Sequence, residues 1–532
     1  MDLARATAQP GRPDSVPGQS RSRHTAPAPG GRYAVVVIGS GMGGICAAIK
    51  LKEIGVDSLA VLERAEEVGG TWRANTYPGI AVDTSILQYS LSFEPNPGWS
   101  RLYAGGAELQ RYLIGLSEKY GIRRHIRFGT DVTEMRYAEN EQLWQISTRS
   151  GATYTANVVV NATGHLSTPA IPSIPGLDQF EGQVLHSAEW DASFDASGRR
   201  IAAIGSGASA AQLVPCIARD AEQVYVYQRS APWVFPRDDR PIGRIEAAVY
   251  RHLPFVLKAQ RWRRFWGNDK VAYAFEKQNE TVGKQQRYAE EFIERSIPDP
   301  ELRRAVTPDY SVGCKRRIMS DDWYPALLRE NVELIPSALT EVRPRAVVGP
   351  DGVERPVDTI VFNTGFAVEG FMPMKVFGTG GTELHDAWSD GAQTHLGITV
   401  SGYPNLFLIS GPNTAIGAGS YAFMIECQVR YITGALELMR RRGLSALDVR
   451  LDVQRRSYWK TQSRLSGSVY GSGCEGWYQG EGGRIDTLWP GMNAEYWWRT
   501  RRFDPKSYHL VTRAPNFSRT AAAASATTIS AA

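Results

Sequence analysis

The sequence lacks the cysteine spacings that build metal centres and redox disulfides. Its five cysteines, Cys46, Cys216, Cys314, Cys427 and Cys474, stand far apart, and no two share a CxxC or metal-ligand spacing. An odd, scattered set predicts reduced thiols, no metal site and a reducing compartment such as the cytoplasm.

The chain also has little excess charge and no long apolar run. Its 60 basic and 55 acidic residues leave a net charge of +5 over 532 residues, which gives no argument for nucleic acid or an anionic membrane as the main partner. No apolar run reaches transmembrane length, and the N-terminus lacks the apolar core of a signal peptide. We therefore expect a soluble cytoplasmic protein, monomeric or homodimeric, that does not insert into membranes.

The sequence contains, at two places, the strand-turn-helix pattern that begins a nucleotide-binding fold. The strand pattern "YAVVVIG" (33–39) leads into a glycine-rich turn, an apolar helix and a second strand at 58–63, and the same order recurs at 200–218 and 223–229. This predicts an α/β fold with two Rossmann-like dinucleotide-binding domains. We expect disordered ends at 1–31 and 514–532, a first domain built from 32–166 and 386–513, and a second domain at 167–385.

Residues from about 240 to 310 read as helices inserted into the second domain. Their basic residues are interleaved with aromatic ones, as in "RIEAAVYRHLPFVLKAQRWRRFW". Such a pattern occurs in RNA-binding proteins, but it is more typical of an amphipathic subdomain with a solvated basic face.

The first glycine turn predicts a site for a dinucleotide with an unphosphorylated ribose. Gly39 permits the tight turn, Gly41 lets the backbone approach a pyrophosphate, and Gly44 lets the helix pack on the strand. Glu63 ends the next strand 63 − 44 = 19 residues on, where a carboxylate accepts hydrogen bonds from a ribose diol. FAD or NAD fits this site.

The second glycine turn carries the opposite charge at the matching position. Gly205 and Gly207 open the turn, Ala210 takes the place of the third glycine, and 229 − 210 = 19 residues on stands Arg229. A guanidinium there pairs with a 2′-phosphate, so this site predicts NADPH and leaves FAD for the first. With no redox cysteine pair to reduce, the electrons are expected to pass to oxygen or a small acceptor.

Between the two turns lies "FEGQVLHSAEWD" (180–191). Its Phe180, Gly182, His186, Trp190 and Asp191 match the FxGxxxHxxxW(P/D) fingerprint, so the chain resembles the type I Baeyer–Villiger monooxygenases, flavoproteins that convert ketones into esters or lactones. The resemblance covers roughly 33–512. Five further segments share it: "GGTWRANTYPG" (69–79), "NATG" (161–164), "DTIVFNTGF" (358–366), and two stretches similar to hydroxyacetophenone-type enzymes (93–103 and 411–426).

The resemblance implies NADPH- and O2-dependent oxidation of a ketone through a flavin C4a-peroxide. In "CKRRIMSDDWY" (314–324), Arg316 is the implied cation that stabilises the peroxide, Lys315 contacts the NADPH 2′-phosphate, and Arg317 is the alternative cation. Asp83 is the implied partner of the catalytic arginine. An arginine suits this role because, unlike lysine, it stays charged at any working pH.

Two further roles come from the resemblance. Trp477 matches a tryptophan of a mobile loop that closes over nicotinamide and substrate, while His186 and Trp190 lie beside the interdomain linkers and couple domain movement to cofactor placement. The alternative for each is a structural side chain. The cofactor contacts expected from the motifs are Gly39, Gly41, Met42, Gly44, Glu63, Gly70, Thr71, Trp72, Asp83, Tyr89, Val132, Gly205, Ser206, Gly207, Ala208, Ser209, Gln212, Arg229, Ser230, Lys315, Arg316 and Trp477.

The chain departs from the family pattern near the expected substrate pocket. Val82 replaces a cysteine, Ala418-Gly419 replace His-Asn, Gly476 replaces a serine and Gly480 replaces a frequent asparagine. The smaller residues suggest a roomier pocket for a bulky ketone. Two other functions stay open: a flavin-dependent N- or S-oxygenase on the same fold, and a flavin-binding scaffold or sensor without turnover.

Overall fold

The computed structural model describes residues 28–166, 168–366, 371–474, 476, 478 and 483–512. Most of the expected disordered lead-in (1–27) and the whole expected tail (514–532) lie outside the described residues, as do Trp477 and Gly480.

Twenty strands are described in this part of the chain. They are β1 (Arg32–Ile38), β2 (Leu59–Leu62), β3 (Ile126–Arg127), β4 (Val132–Ala138), β5 (Leu143–Thr148), β6 (Thr153–Asn161), β7 (Gln183–His186), β8 (Arg200–Ile204), β9 (Gln223–Tyr227), β10 (Val234–Phe235), β11 (Ile318–Met319), β12 (Val332–Ile335), β13 (Glu341–Arg343), β14 (Ala346–Val348), β15 (Glu354–Pro356), β16 (Thr359–Phe362), β17 (Lys375–Phe377), β18 (Leu406–Leu408), β19 (Leu444–Val449) and β20 (Tyr508–Thr512).

Thirteen α-helices are described beside them. They are α1 (Met42–Glu53), α2 (Thr71–Ala74), α3 (Gly106–Lys119), α4 (Ala208–Ile217), α5 (Arg244–His252), α6 (Pro254–Lys277), α7 (Glu280–Ser296), α8 (Pro300–Val306), α9 (Trp323–Leu327), α10 (Leu384–Ala387), α11 (Tyr421–Arg442), α12 (Leu451–Ser466) and α13 (Asn493–Thr500).

The first sheet is centred on β1. Its "VVVI" run is buried along its length, as expected for a parallel strand covered by helices on both faces. β2 and then β3 continue the sheet in parallel on one side, and β6 pairs in parallel on the other. The antiparallel strands β5 and β4 follow β6, β17 closes that edge, and β18 pairs with the last residues of β6. Helix α1 packs against α11 over this sheet.

The second sheet has five strands, all parallel, in the order β12-β9-β8-β16-β7. Helix α4 follows β8 directly and packs against α9. The helices α5 to α8 occupy the chain between β10 and β11, which pair with each other. Because both sheets are built on parallel β-α-β units, the predicted α/β Rossmann-type fold class is confirmed.

The strands that flank the glycine turns agree closely with the sequence prediction. Strands β1, β2 and β9 begin and end within two residues of the predicted positions, and β8 begins at the first residue of the stretch predicted to contain it. Within the described ranges, no helix has the length and apolar character required to cross a bilayer.

The prediction that the cysteines are reduced is wrong for one pair. Cys314 and Cys474 form a disulfide, although 160 positions separate them in the sequence. Linear spacing gives no signal for such a pair, because only the fold brings the segment before Lys315 next to the segment after α12. The disulfide also removes the cysteine-based argument for a reducing compartment.

The disulfide predicts the thiol count and a dependence of stability on reductant. The denatured, unreduced protein should show three free thiols, those of Cys46, Cys216 and Cys427, and five after reduction. Because a cross-link over a long loop restricts the unfolded chain, reduction should lower the free energy of unfolding by about 2–4 kcal/mol in urea titrations.

A Cys314→Ser variant should be insensitive to reductant, whereas the control variant Cys216→Ser, which removes a free thiol, should respond like the wild type. Five titratable thiols without reductant would contradict the disulfide.

Candidate active site

The carboxyl ends of both sheets open into one large cleft. Its volume is about 2080 Å³, and its wall includes residues within two positions of the ends of β1, β2, β6, β8, β9 and β16. Ligands of open α/β sheets bind at this edge, because the strands end there and the following helices point their N-termini toward it.

The first glycine turn is shaped by close backbone contacts. Gly39 has a φ of +94°, and a Cβ on it would lie 2.7 Å from the carbonyl oxygen of Ala162. A Cβ on Gly44 would lie 1.9 Å from the carbonyl oxygen of Gly39, so only glycine lets α1 start here. Gly41 and Gly70 face each other, with 3.5 Å from a Cβ on Gly41 to the Gly70 Cα, and both line the cleft. The turn therefore fits a closely held pyrophosphate.

Glu63 lies at the end of β2, buried to 7% exposure, and lines the same cleft. Its Oε2 accepts hydrogen bonds from the backbone N–H and hydroxyl of Ser40, both at 2.7 Å, and its Oε1 accepts one from the backbone N–H of Ala65 at 2.9 Å. A carboxylate has capacity for about four such bonds. The group therefore braces the glycine turn and still fits a ribose hydroxyl of FAD.

The second glycine turn leaves free space where a dinucleotide would lie. Gly205 has a φ of +108°, and a Cβ on it would meet the carbonyl oxygen of Asn363 at 2.7 Å. A Cβ on Gly207 would meet no atom within 4 Å, so the protein's own packing does not require glycine there. Gly207 caps α4 and lines the cleft, which fits close approach of a ligand to the helix N-terminus.

Three predicted cofactor contacts, Arg229, Ser230 and Lys315, line the cleft beside this turn. The ammonium of Lys315 donates a hydrogen bond to the Ser230 hydroxyl at 3.0 Å and lies 4.7 Å from the centre of the Tyr310 ring. Arg229 is exposed and lines the same cleft, and among the described residues it makes no ion pair. Two cations and a hydroxyl at one place fit the 2′-phosphate of NADPH.

Gln212 of α4 connects the second glycine turn to the loop that carries Asp83. Its Oε1 accepts a hydrogen bond from the Tyr77 hydroxyl at 2.9 Å, and its Nε2 donates to the Ala81 carbonyl at 3.0 Å. Gly79 packs on the same helix, since a Cβ there would lie 2.3 Å from the Gln212 carbonyl oxygen. Both sides of the cleft are thus fixed to each other at this point.

Arg316 and Asp83 form an ion pair in the wall of the cleft. The negative charge of Asp83 raises the pKa of Arg316 above its ordinary value. The guanidinium is surrounded by protein atoms, yet 42% of the side chain is accessible, because the cleft opens in front of it. Arg317, the alternative cation, also lines the cleft, but its guanidinium donates to the Gln285 side chain at 3.0 Å and makes no ion pair with Asp83 among the described residues.

The fingerprint residues brace the second sheet and do not line the cleft. His186 ends β7 opposite Phe362 of β16, is buried, and accepts a hydrogen bond at Nδ1 from the Ala188 N–H at 3.0 Å. Trp190 packs edge-on against Phe194, with 5.3 Å between ring centres. The remaining three fingerprint residues make contacts with nearby parts of the second domain. Phe180 packs into the core beneath the sheet, Gly182 abuts the Asp358 backbone, and Asp191 accepts hydrogen bonds from Ser193.

The sequence analysis missed a polar pair beside Arg316. The His165 Nδ1 and the Tyr421 hydroxyl lie 3.1 Å apart, and both residues line the cleft. Burial, together with the positive charge of Arg316, lowers the pKa of His165 to about 4. The imidazole is therefore neutral at neutral pH, and Arg316 supplies the positive charge of this wall. The one available signal was the place of His165, directly after "NATG".

Packing against Asn493 explains why a glycine stands at position 419. Gly419 has a φ of +130°, and a Cβ on it would lie 2.6 Å from the amide nitrogen of Asn493, which donates to the Ala418 carbonyl at 3.1 Å. Asn493 therefore fills the space that a side chain at 419 would take. Ala418 lines the cleft, and Val82 is buried in its wall.

Most of the predicted cofactor contacts lie together in the cleft wall. Gly44 and Gly205 are exceptions that serve the backbone turns, and Trp477 lies outside the described residues. Besides the residues discussed above, the wall contains Met42, Thr71, Trp72, Tyr89, Val132, Ser206, Ala208 and Ser209.

Comparison with known proteins agrees with this geometry. Residues 36–292 match the family model described as pyridine nucleotide-disulphide oxidoreductase. A Baeyer–Villiger monooxygenase of Pseudomonas aeruginosa is 41% identical over 92% of this chain and 94% of its own length, and one of Streptomyces coelicolor is 42% identical over 90% and 93%. The crystal structure of OTEMO in complex with FAD and NADP superposes with a TM-score of 0.81 at 25% identity, covering 91% of this chain and 100% of that one. The predicted family and enzyme class are thereby confirmed, and the chain belongs to the Baeyer–Villiger monooxygenases.

Proposed function

We propose that this enzyme oxidises a ketone to an ester or lactone with Arg316 as its catalytic cation and Asp83 as the residue that positions it. The observation that carries this assignment is the Arg316–Asp83 ion pair, exposed to the cleft between the two dinucleotide sites. Molecular oxygen is the co-substrate that the reaction requires.

FAD and NADPH are the cofactors, as the two glycine turns predicted. Glu63 and the turn at Gly41 would hold FAD, while Gly207, Arg229 and Lys315 would hold NADPH. When bound, FAD reduced by NADPH would activate molecular oxygen for the reaction.

Arg316 provides a fixed positive charge where the substrate carbonyl becomes negative. A preorganised charge stabilises developing charge strongly, because it does not have to reorient when the reaction occurs. Asp83 fixes the guanidinium by the ion pair and raises its pKa, so the cation persists as pH rises. The aromatic side chains Trp72 and Tyr89, in edge contact at 5.7 Å, supply an apolar part of the same wall.

Arg316→Ala should separate cofactor reduction from oxygenation. We expect NADPH to reduce the flavin at nearly the wild-type rate, while ester formation falls by about 10²- to 10³-fold, the cost of removing one transition-state charge contact. Stopped-flow absorbance of the flavin and chromatography of the ester measure the two steps.

Arg101→Ala is a matched control. Arg101 is also half-exposed and forms an ion pair with an aspartate, Asp239, but Arg101 does not line the cleft. This variant should retain both rates. Ester formation by Arg316→Ala at a near wild-type rate would refute the catalytic assignment.

Arg229→Ala and Lys315→Ala should each weaken the selection of NADPH over NADH. Loss of one charged contact to the 2′-phosphate should raise KM for NADPH by about 10- to 100-fold. NADH lacks this phosphate, so its KM serves as the internal control and should stay unchanged. An equal rise for both nucleotides would place the two residues outside the phosphate site.

A substrate panel should separate the ketone oxidation from the N- or S-oxygenase alternative. With cyclic, linear and aromatic ketones beside a thioether, we expect ester or lactone from at least one ketone, with NADPH consumed in equal amount. Sulfoxide from the thioether without ester from any ketone would favour the alternative.

A further inference from the structure

Helix α6, the longest helix of the insertion with 24 residues, carries apolar side chains on two opposite faces. One face packs into the protein and buries Leu257 and Phe275. The opposite face carries Phe255, Trp262, Trp266 and Tyr273, here called the aromatic stripe. A surface helix of a soluble protein normally directs polar side chains outward, so this second face requires an explanation.

The aromatic stripe is continuous and accessible. Its four side chains are exposed for 46% to 66% of their surface. They are separated by 7, 4 and 7 positions, close to whole turns of a helix with 3.6 residues per turn, so they lie in one line over about 27 Å. Trp262 and Trp266 stack on each other with 6.2 Å between ring centres.

Basic residues flank the aromatic stripe on both sides. Lys258, Arg263 and Lys270, here called the basic rim, are exposed, and none of them makes an ion pair within the described part of the chain. The two acidic residues of α6 are buried and partnered: Asp269 accepts hydrogen bonds from Asn493, and Glu276 pairs with Arg464. The exposed charge of this helix is therefore entirely positive.

The side of α6 opposite the stripe belongs to the active-site cleft. Arg264, Gly267, Asn268 and Val271 line the cleft. Arg264 donates to the Ser85 hydroxyl at 3.0 Å, and Asn268 donates to the Gln88 side chain at 2.8 Å, which ties α6 to the segment just after Asp83. One helix thus separates the cleft from the exposed aromatic surface by its own thickness of about 10 Å.

We propose that the aromatic stripe and basic rim dock the enzyme on the surface of an anionic phospholipid bilayer. Aromatic side chains insert at the boundary between headgroups and acyl chains, and flanking lysine and arginine side chains pair with anionic headgroups. Adsorption places the cleft beside a phase in which apolar ketones concentrate. Adsorption does not require a helix that crosses the membrane. It depends on the positive charge of the basic rim and not on the net charge of the whole chain.

The charge pattern disfavours a second copy of this chain as the occupant. In a twofold contact the same patch faces itself, which would bring the two basic rims together and repel. A single-stranded nucleic acid would pair with the basic rim and stack on the aromatic rings, but it would leave the neighbouring exposed Leu253 without an apolar partner. An anionic bilayer offers apolar contacts to the aromatic stripe and negative charge to the basic rim.

Co-sedimentation of the holoenzyme with vesicles tests the docking without reference to catalysis. The wild type should bind vesicles of phosphatidylcholine mixed with phosphatidylglycerol, bind pure phosphatidylcholine at least about tenfold more weakly, and be released by high salt. Replacing the stripe (Trp262→Ser with Trp266→Ser) or reversing the rim (Lys258→Glu, Arg263→Glu and Lys270→Glu) should each lower binding to the mixed vesicles about tenfold or more.

Trp459→Ser is the matched control, because Trp459 on α12 is exposed to 60%, against 58% for Trp262. It should bind like the wild type, and all variants should keep the flavin spectrum and NADPH consumption of the folded enzyme. A wild type that stays in the supernatant, or an equal loss in the control, overturns the proposal. A dimer that the stripe variant dissociates, or an RNA gel shift that the rim variant abolishes, assigns the surface to a different partner and also overturns it.

Discussion

The ion pair between Arg316 and Asp83 is the contact on which the site depends, because its two members come from different halves of the molecule. Asp83 follows the loop that packs beside the first glycine turn, and Arg316 follows the helical insertion of the second nucleotide fold. Only 25% of the Asp83 side chain is exposed, and a partly buried carboxylate is costly without a partner, so the ion pair with Arg316 makes its position tolerable. Gln212 reinforces the connection by holding Tyr77 and Ala81 to α4. A shared cleft with one fixed cation follows from these contacts.

Short sequence patterns predicted the elements whose conformation depends mainly on residues close together in the chain. The "VVVI" run specifies a strand buried on both faces, and the glycines at 39 and 205 specify turns that other residues cannot adopt, because their φ values are +94° and +108°. Glu63 and Arg229 predicted which dinucleotide each turn binds. Their distance from the turn is informative because it is set by the length of one β-α-β unit.

Contacts between distant segments could not be predicted in the same way. The 160 positions between Cys314 and Cys474, and the 256 between His165 and Tyr421, carry no periodicity that a sequence reveals. Gly419 suggested extra space in the pocket, but α13 brings Asn493 into that space. The fingerprint at 180–191 identified the family correctly, yet Phe180 packs into the core beneath the second sheet and His186 ends its edge strand β7. A recognisable motif and a chemical role are therefore separate properties.

The Cys314–Cys474 bond has a topological consequence. It closes the chain between these residues into a covalent ring that contains every element from β11 to α12, and so includes strands of both sheets. A protease that cuts one peptide bond inside this ring opens it without releasing a fragment. A product cut once inside this ring should therefore migrate as a single chain on gels until a reductant separates the two pieces.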